Sequence, residues 1–226
     1  MIRAALLIAS KDLIVHCGRK NAGFLQAILM GLLLIFLFSL SLDIGEVMTP
    51  QAAAAVFWMS SAFSQVLLFN GLYGHEESAG QRIGLVLAPV PVQSVWLGKM
   101  LAGGTLLFLA QCVFFPATLV FLGQEMGEHW PKALMAVLGV DIGAVALGAL
   151  LGALSQGQSA RESLFTIIVF PLLVPLFLAG IRLLQMGFGS DRLEDSLAWL
   201  GIIGAFDAIF LAAGLVLFPF IYAADD

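Results

Sequence analysis

The sequence predicts an all-α integral membrane protein of six transmembrane helices, with an interfacial helix before the first span and a short helix in one inner loop. Three observations carry that reading. Of the 226 residues, 61% are hydrophobic and 11% charged, against about 45–50% and about 25% in a soluble globular domain. Six stretches of the chain are mostly apolar over about 20 residues, the length that crosses about 30 Å of hydrocarbon. The two cysteines, Cys17 and Cys112, are too few for a disulfide-stapled secreted domain. Intrinsic disorder is excluded, because it requires low hydrophobicity and high charge. The ten basic residues are scattered and too few to track a nucleic acid.

Taken in order, residues 2–17 read as a helix lying on the membrane. Ile2, Ala5, Leu6, Ala9 and Leu13 recur at near-helical spacing, with the charges expected toward water. Lys11, Asp12, Arg19 and Lys20 interrupt the apolar patch and no small-residue cleavage site follows, which argues against a cleaved signal peptide. The alternative is a ragged extension of the first span. The spans fall at about 22–42, 52–73, 99–122, 133–154, 163–184 and 197–222. Alternating ten-residue strands of a barrel are absent. Neither a linker nor a second domain is visible, so residues 1–226 read as a single transmembrane domain.

Basic residues in short loops set the orientation. Arg3, Lys11, Arg19, Lys20, Arg82, Lys99 and Arg161 fall on one side, against Lys132, Arg182 and Arg192 on the other. That asymmetry predicts a multi-pass protein with both termini in the cytoplasm. Acids gather in the outer loops, at Asp43, Glu46, Glu125, Glu128, Asp191, Glu194 and Asp195.

No catalytic or metal motif is readable. Gly98-Lys99 is followed by Met100 and lacks the upstream glycine of a phosphate-binding loop. His75-Glu76-Glu77 starts like a zinc-protease motif, but Ala79 stands where the second histidine belongs. A nucleophile elbow is missing too. The expectation is a subunit without catalysis of its own, drawing energy from a partner or an ion gradient.

The inner loop Gly74–Pro89 opens with Glu76 and Glu77, acids suited to a helix N-terminus. It turns apolar through Ile83, Leu85, Val86 and Leu87 and stops at Pro89 and Pro91. That pattern predicts a short amphipathic helix ended by proline. The run HEESAGQRIGLVLAPVPVQSVWLGKML (75–101) resembles the coupling loop of ABC-2-type permeases. Residues 11–42, 150–180 and 205–220, in order, extend the likeness over nearly the whole chain, which resembles the heme exporter protein B family. That is the permease of the bacterial cytochrome c maturation system. The resemblance implies an ABC-2-type permease fold, with the N-terminal helix as a connecting helix and the inner loop as a coupling helix docked on an ATPase. By the same resemblance, Glu76, Glu77, Gly80 and Arg82 face the ATPase, and Arg161 and Glu162 form a second contact. Gly84 departs from the pattern, where a longer side chain is common. The implied partners are two ATPase copies, a second copy of this chain, a heme-handling subunit with a tryptophan-rich motif, a small one-span subunit and a periplasmic heme chaperone. The implied location is the bacterial inner membrane. Heme would be cargo and ATP would be bound by the partner, so no cofactor is expected on this chain. The alternatives are a permease for a drug, lipid or polysaccharide, and a proton-coupled carrier.

Asp141 and Asp207 are acids at bilayer depth, where a charge costs about 2.5 kcal/mol or more. They are expected in one layer, contacting Gln111, Asn70 or Gln65; a structural role and a proton or substrate path both remain open. Pro116, Pro171 and Pro175 each remove a helical hydrogen bond, which predicts kinks and a broken fifth span. Gly139-x-x-x-Gly143 and Gly148-x-x-x-Gly152 give the fourth span a face for close helix contact. His129 beside Trp130 reads as an interfacial residue, with heme contact the alternative.

Overall fold

The computed structural model describes residues 1–18, 23–43, 45–78, 84, 89–154, 159–189 and 196–222. Those residues form seven helices: α1 (Ile2–Cys17), α2 (Gly23–Leu40), α3 (Pro50–Ser78), α4 (Val92–Phe121), α5 (Trp130–Leu154), α6 (Ser159–Gly187) and α7 (Ser196–Tyr222). Five of them, counting α3 as Pro50–Gly74, are long and apolar enough to cross a membrane; the apolar stretch described in α6 is Pro171–Gly187. Proline marks several starts, where its missing N–H costs nothing. Pro50 opens α3, Pro91 precedes α4 and Pro131 lies in the first turn of α5.

Helix α5 is the centre of the bundle. It packs against α6 and α7, and also meets α3 and α4. From Gly139 onward it carries Asp141 and otherwise only Gly, Ala, Val, Leu and Ile. Such a helix has almost no side-chain bulk, so neighbours approach its backbone. The two glycine pairs serve different partners. Gly148 lies under Phe69 and Gly152 under Tyr73, both from α3. Gly139 lies under Ile203 of α7, and Gly143 under Asp207 of α7 and Leu176 of α6. The small-residue face therefore acts within the subunit.

Helices α2 and α7 are peripheral and expose apolar side chains such as Leu25, Leu29, Ile209 and Phe220, as lipid-facing helices do. Helix α2 is held by Phe114 of α4 seated on Gly31 and by Ser64 Oγ donating to the Ala27 carbonyl at 2.8 Å. At the end of the bundle where α4 meets α5, Gln124 closes the loop. Its side-chain amide donates to the carbonyls of Met48 (2.7 Å) and Leu122 (2.9 Å). Gly123 supplies the left-handed turn that ends α4, with φ +65°.

Three expectations need correction. The N-terminal helix matches its expected range, but Asp12 does not turn toward water as the helix's charges were expected to. Ala5, Ala9, Asp12 and His16 are buried, while Ile2, Leu6, Leu7 and Ile14 are exposed. Small residues let α1 lie close on α4, with Ile8 and the Ala5 carbonyl packed against Gly98, and the large apolar residues are left for lipid. Second, the fifth span is not broken: α6 stays helical through Pro171 and Pro175, as α4 does through Pro116. Third, α3 runs on to Ser78, so Glu76 and Glu77 sit in its last turn rather than opening a new helix.

Gly148→Leu tests the central packing. A Cβ there lies 2.6 Å from Phe69 Cε2 and 2.7 Å from Gln65 Nε2. The expected cost is about 1–3 kcal/mol, read as a lower thermal unfolding midpoint in detergent. Gly204→Ala meets nothing within 4 Å and should leave the midpoint in place.

Candidate functional site

Two polar centres lie inside the bundle, and the first is a buried ion pair. Helix α4 begins at Val92, so Lys99 stands two turns inside it rather than at a span end. It is fully buried. Its ammonium lies 2.9 Å from Asp12 Oδ2 of α1 and donates to the Leu72 carbonyl of α3 at 2.8 Å. The same group sits 5.1 Å from the centroid of the Tyr73 ring, an electrostatically favourable position. Lys11 reaches the other carboxylate oxygen of Asp12 at 3.0 Å. His16 Nδ1 donates to the Asp12 carbonyl at 2.9 Å, and the ring approaches Gly71 of α3. One ammonium thus gathers α1, α3 and α4.

Sequence reading missed this centre by treating Lys99 as an inner-loop charge. The signal was available: Pro89 and Pro91 mark a helix start well before Lys99. A lysine two turns inside an apolar helix needs a partner, and Asp12 is the acid that supplies it. Without Lys99, six basic residues remain on the expected inner side against three.

The second centre lies toward the other end of α4. Gln111 Nε2 donates to Asp141 Oδ1 at 2.8 Å and to Ser61 Oγ at 3.3 Å. Asp141 thus meets Gln111, one of the three partners expected. Gln65 instead donates to the Ala144 carbonyl, and Asn70 is exposed. Asp207 of α7 reaches α5 at Gly143, where no Cβ stands in its way. Gly143 lies two residues from Asp141, about 3 Å along the axis and about 200° around it. The two acids share a layer but lie on opposite faces of α5, with no common hydrogen bond among the described residues.

Of the expected ATPase-facing residues, Glu76 and Glu77 follow Leu72 and Tyr73 about one turn further along α3. Glu76 and Glu77 lie on the last turn of α3, and Arg161 and Glu162 on the first turn of α6; their side chains fall outside the described residues. Gly80 and Arg82 fall outside them altogether. Gly84 is helical and exposed. Among the described residues no group of three His, Cys, Asp or Glu could hold a metal ion.

A bundle of apolar helices that pairs buried charges internally defines an all-α integral membrane protein. The chain belongs to the CcmB protein family, whose model matches residues 3–225. It is 26% identical over 206 residues to heme exporter protein B of Haemophilus influenzae, covering 91% of this chain and 90% of that protein. The Pseudomonas aeruginosa heme exporter protein B is 25% identical, over 91% of this chain and 89% of its own length. That of Escherichia coli K12 is 27% identical over 211 residues, covering 91% and 90%.

Removing Lys99 leaves Asp12 buried with only the half-exposed Lys11 beside one of its two oxygens. Lys99→Met is expected to cost about 3–5 kcal/mol, seen as a fall in the thermal unfolding midpoint of the purified protein. Asp12→Asn combined with Lys99→Met should regain most of that loss. A double variant as unstable as the single would show that Lys99 acts through packing rather than through its pairing with Asp12.

Proposed function

We propose that this chain is the membrane-spanning permease subunit of an ABC complex in bacterial cytochrome c biogenesis. A partner ATPase hydrolyses ATP. The chain couples that hydrolysis to heme export, or to release of a heme-loaded chaperone at the periplasmic face. The observation that carries the reading is the family match over residues 3–225, joined to relatives named heme exporter protein B that align with 91% of the chain. A permease for another cargo and a proton-coupled carrier have no comparable support.

In this reading α6 is the sixth span beside the five longer apolar helices, residues 1–226 form one transmembrane domain, and both termini are cytoplasmic. The end of α3, the inner loop and the start of α6 meet the ATPase, through Glu76, Glu77, Gly80, Arg82, Arg161 and Glu162. A second copy of the chain completes the membrane unit and two ATPase subunits dock beneath it. A heme-handling subunit with a tryptophan-rich motif, a small one-span subunit and a periplasmic heme chaperone complete the assembly. The chain itself catalyses nothing and holds no cofactor. Heme is the cargo, and ATP binds the partner.

Deleting the chain and staining membranes and periplasm for covalently attached heme tests the whole reading. Loss of c-type cytochromes is expected; normal heme attachment would overturn it. Glu76→Lys with Glu77→Lys tests the coupling contact separately. The double variant should insert at normal abundance and lose most of the ATPase that purifies with it. Undiminished ATPase recovery would remove these residues from the contact.

A further inference from the structure

The inner loop leaves the bundle at the end of α3 and returns at the start of α4. Lys99 ties those two stems together. Its ammonium, two turns into α4, donates to the Leu72 carbonyl of α3 at 2.8 Å. In a helix that carbonyl also accepts from the N–H four residues on, which here belongs to Glu76. Lys99 therefore holds the turn of α3 that carries the expected ATPase contact. Its second contact, 2.9 Å to Asp12 Oδ2, adds α1 to the same point. Both side chains are buried, so salt screens the pair little.

The neighbours of Lys99 extend the tie. Tyr73, whose ring lies 5.1 Å from the ammonium, donates its hydroxyl to the Ala149 carbonyl of α5 at 2.6 Å. Trp96 donates to the Ala146 carbonyl of α5 at 3.4 Å, and its ring covers Gly214 of α7. Gly98 takes Ile8 and the Ala5 carbonyl of α1 against its backbone. A short patch at the base of the loop thus reaches α1, α5 and α7 at once. Stability alone is a poor reason for a buried ion pair there, because well-packed apolar residues often stabilise as much or more. What an ion pair adds is a fixed geometry between three helices.

We infer that Lys99 is a positioning residue for ATP coupling. It clamps the base of the inner loop, so that a push on the loop moves α1, α3 and α4 together instead of bending one stem. The inference rests on the reading of this chain as the permease partner of an ATPase.

The test uses the full chain purified with its ATPase, with covalently attached heme scored in the same cells. Asp12→Asn with Lys99→Met removes both charges of the clamp. That variant is expected at normal abundance, with the ATPase bound and hydrolysing ATP at the wild-type rate. Heme attached per ATP should fall about tenfold, an ordinary size for coupling between separated sites. Lys99→Arg keeps the cation and should keep most of the heme attachment. Wild-type heme attachment in the double variant would overturn the proposal. So would loss of the bound ATPase from it, which would make the clamp a docking element, or an equal loss of heme attachment in Lys99→Arg. A second arm leaves the clamp intact. Spin labels go on Ser10→Cys of α1 and Leu101→Cys of α4, both exposed positions, with Cys17→Ser and Cys112→Ser. Their separation should be the same in the nucleotide-free and vanadate-trapped complexes. A change of more than about 2 Å, the scale of helix shifts in switching proteins, would overturn the proposal. A wild-type chain that purifies without an ATPase would instead sink the reading on which the clamp rests.

Discussion

Helix α5 can accept hydrogen bonds from its neighbours because it has so few side chains in the way. A glutamine, tryptophan or tyrosine donor inside a bilayer has no water to turn to. Here three such donors find an α5 carbonyl. Gln65 of α3 bonds Ala144, Trp96 of α4 reaches Ala146 at 3.4 Å, and Tyr73 of α3 bonds Ala149 at 2.6 Å. Those carbonyls already accept within the helix and use their second lone pair here. Bulky residues on that face would push the donors out of reach and leave them unpaired. The Gly and Ala content of α5 is therefore an electrostatic requirement as well as a packing one. It fixes α3 and α4 on one side while α6 and α7 close around the other.

Much of this was legible in the sequence because the bilayer constrains it so tightly. Uninterrupted apolar length marked where the helices run, and the N-terminal helix was recovered from Ile2 to Cys17. The glycine spacing of α5 pointed to close packing, and depth counting placed Asp141 and Asp207 in one layer. What failed was facing. A membrane helix has lipid on one side and protein on the other, both apolar, so periodicity does not say which side is which. That is why Asp12 of α1 turned inward against the expectation that the helix's charges face water. Hydropathy also locates the apolar stretch rather than the helix, so α4 and α3 each extend beyond their predicted spans. Lys99 and Glu77 were misplaced for that single reason.

The acids show the same limit at the level of contacts. Sequence alone offered Gln111, Asn70 and Gln65 as partners. Asn70 lies nine residues beyond Ser61 on α3, about 13 Å too far along it, and angular position around α5 chose between the other two. Asp141 faces α4 and finds Gln111; Gly143, two residues on, faces α7 and admits Asp207. Depth is a one-dimensional quantity and readable from counting, whereas azimuth depends on which helices became neighbours.

Lys99 and Gln111 mark two places where α4 is tied by polar contact, twelve residues or about 18 Å apart on a straight helix. At the first, α4 is fastened to α1 and α3; at the second, to α3 and α5. Detaching α1 from α4 would strand a buried charge, a cost far above that of sliding two apolar surfaces past each other. Helices α1 and α4 are therefore expected to move as one body. Helix α2 carries no charged residue and is joined to its neighbours by packing and by the Ser64–Ala27 hydrogen bond among others, so it has more freedom to yield. If force enters at the end of α3 and the following loop, the Leu72 carbonyl and the Tyr73 ring put that force directly onto Lys99. From there α4 carries it along its length to Gln111 and the centre of the bundle, without any need for the peripheral helices to transmit it.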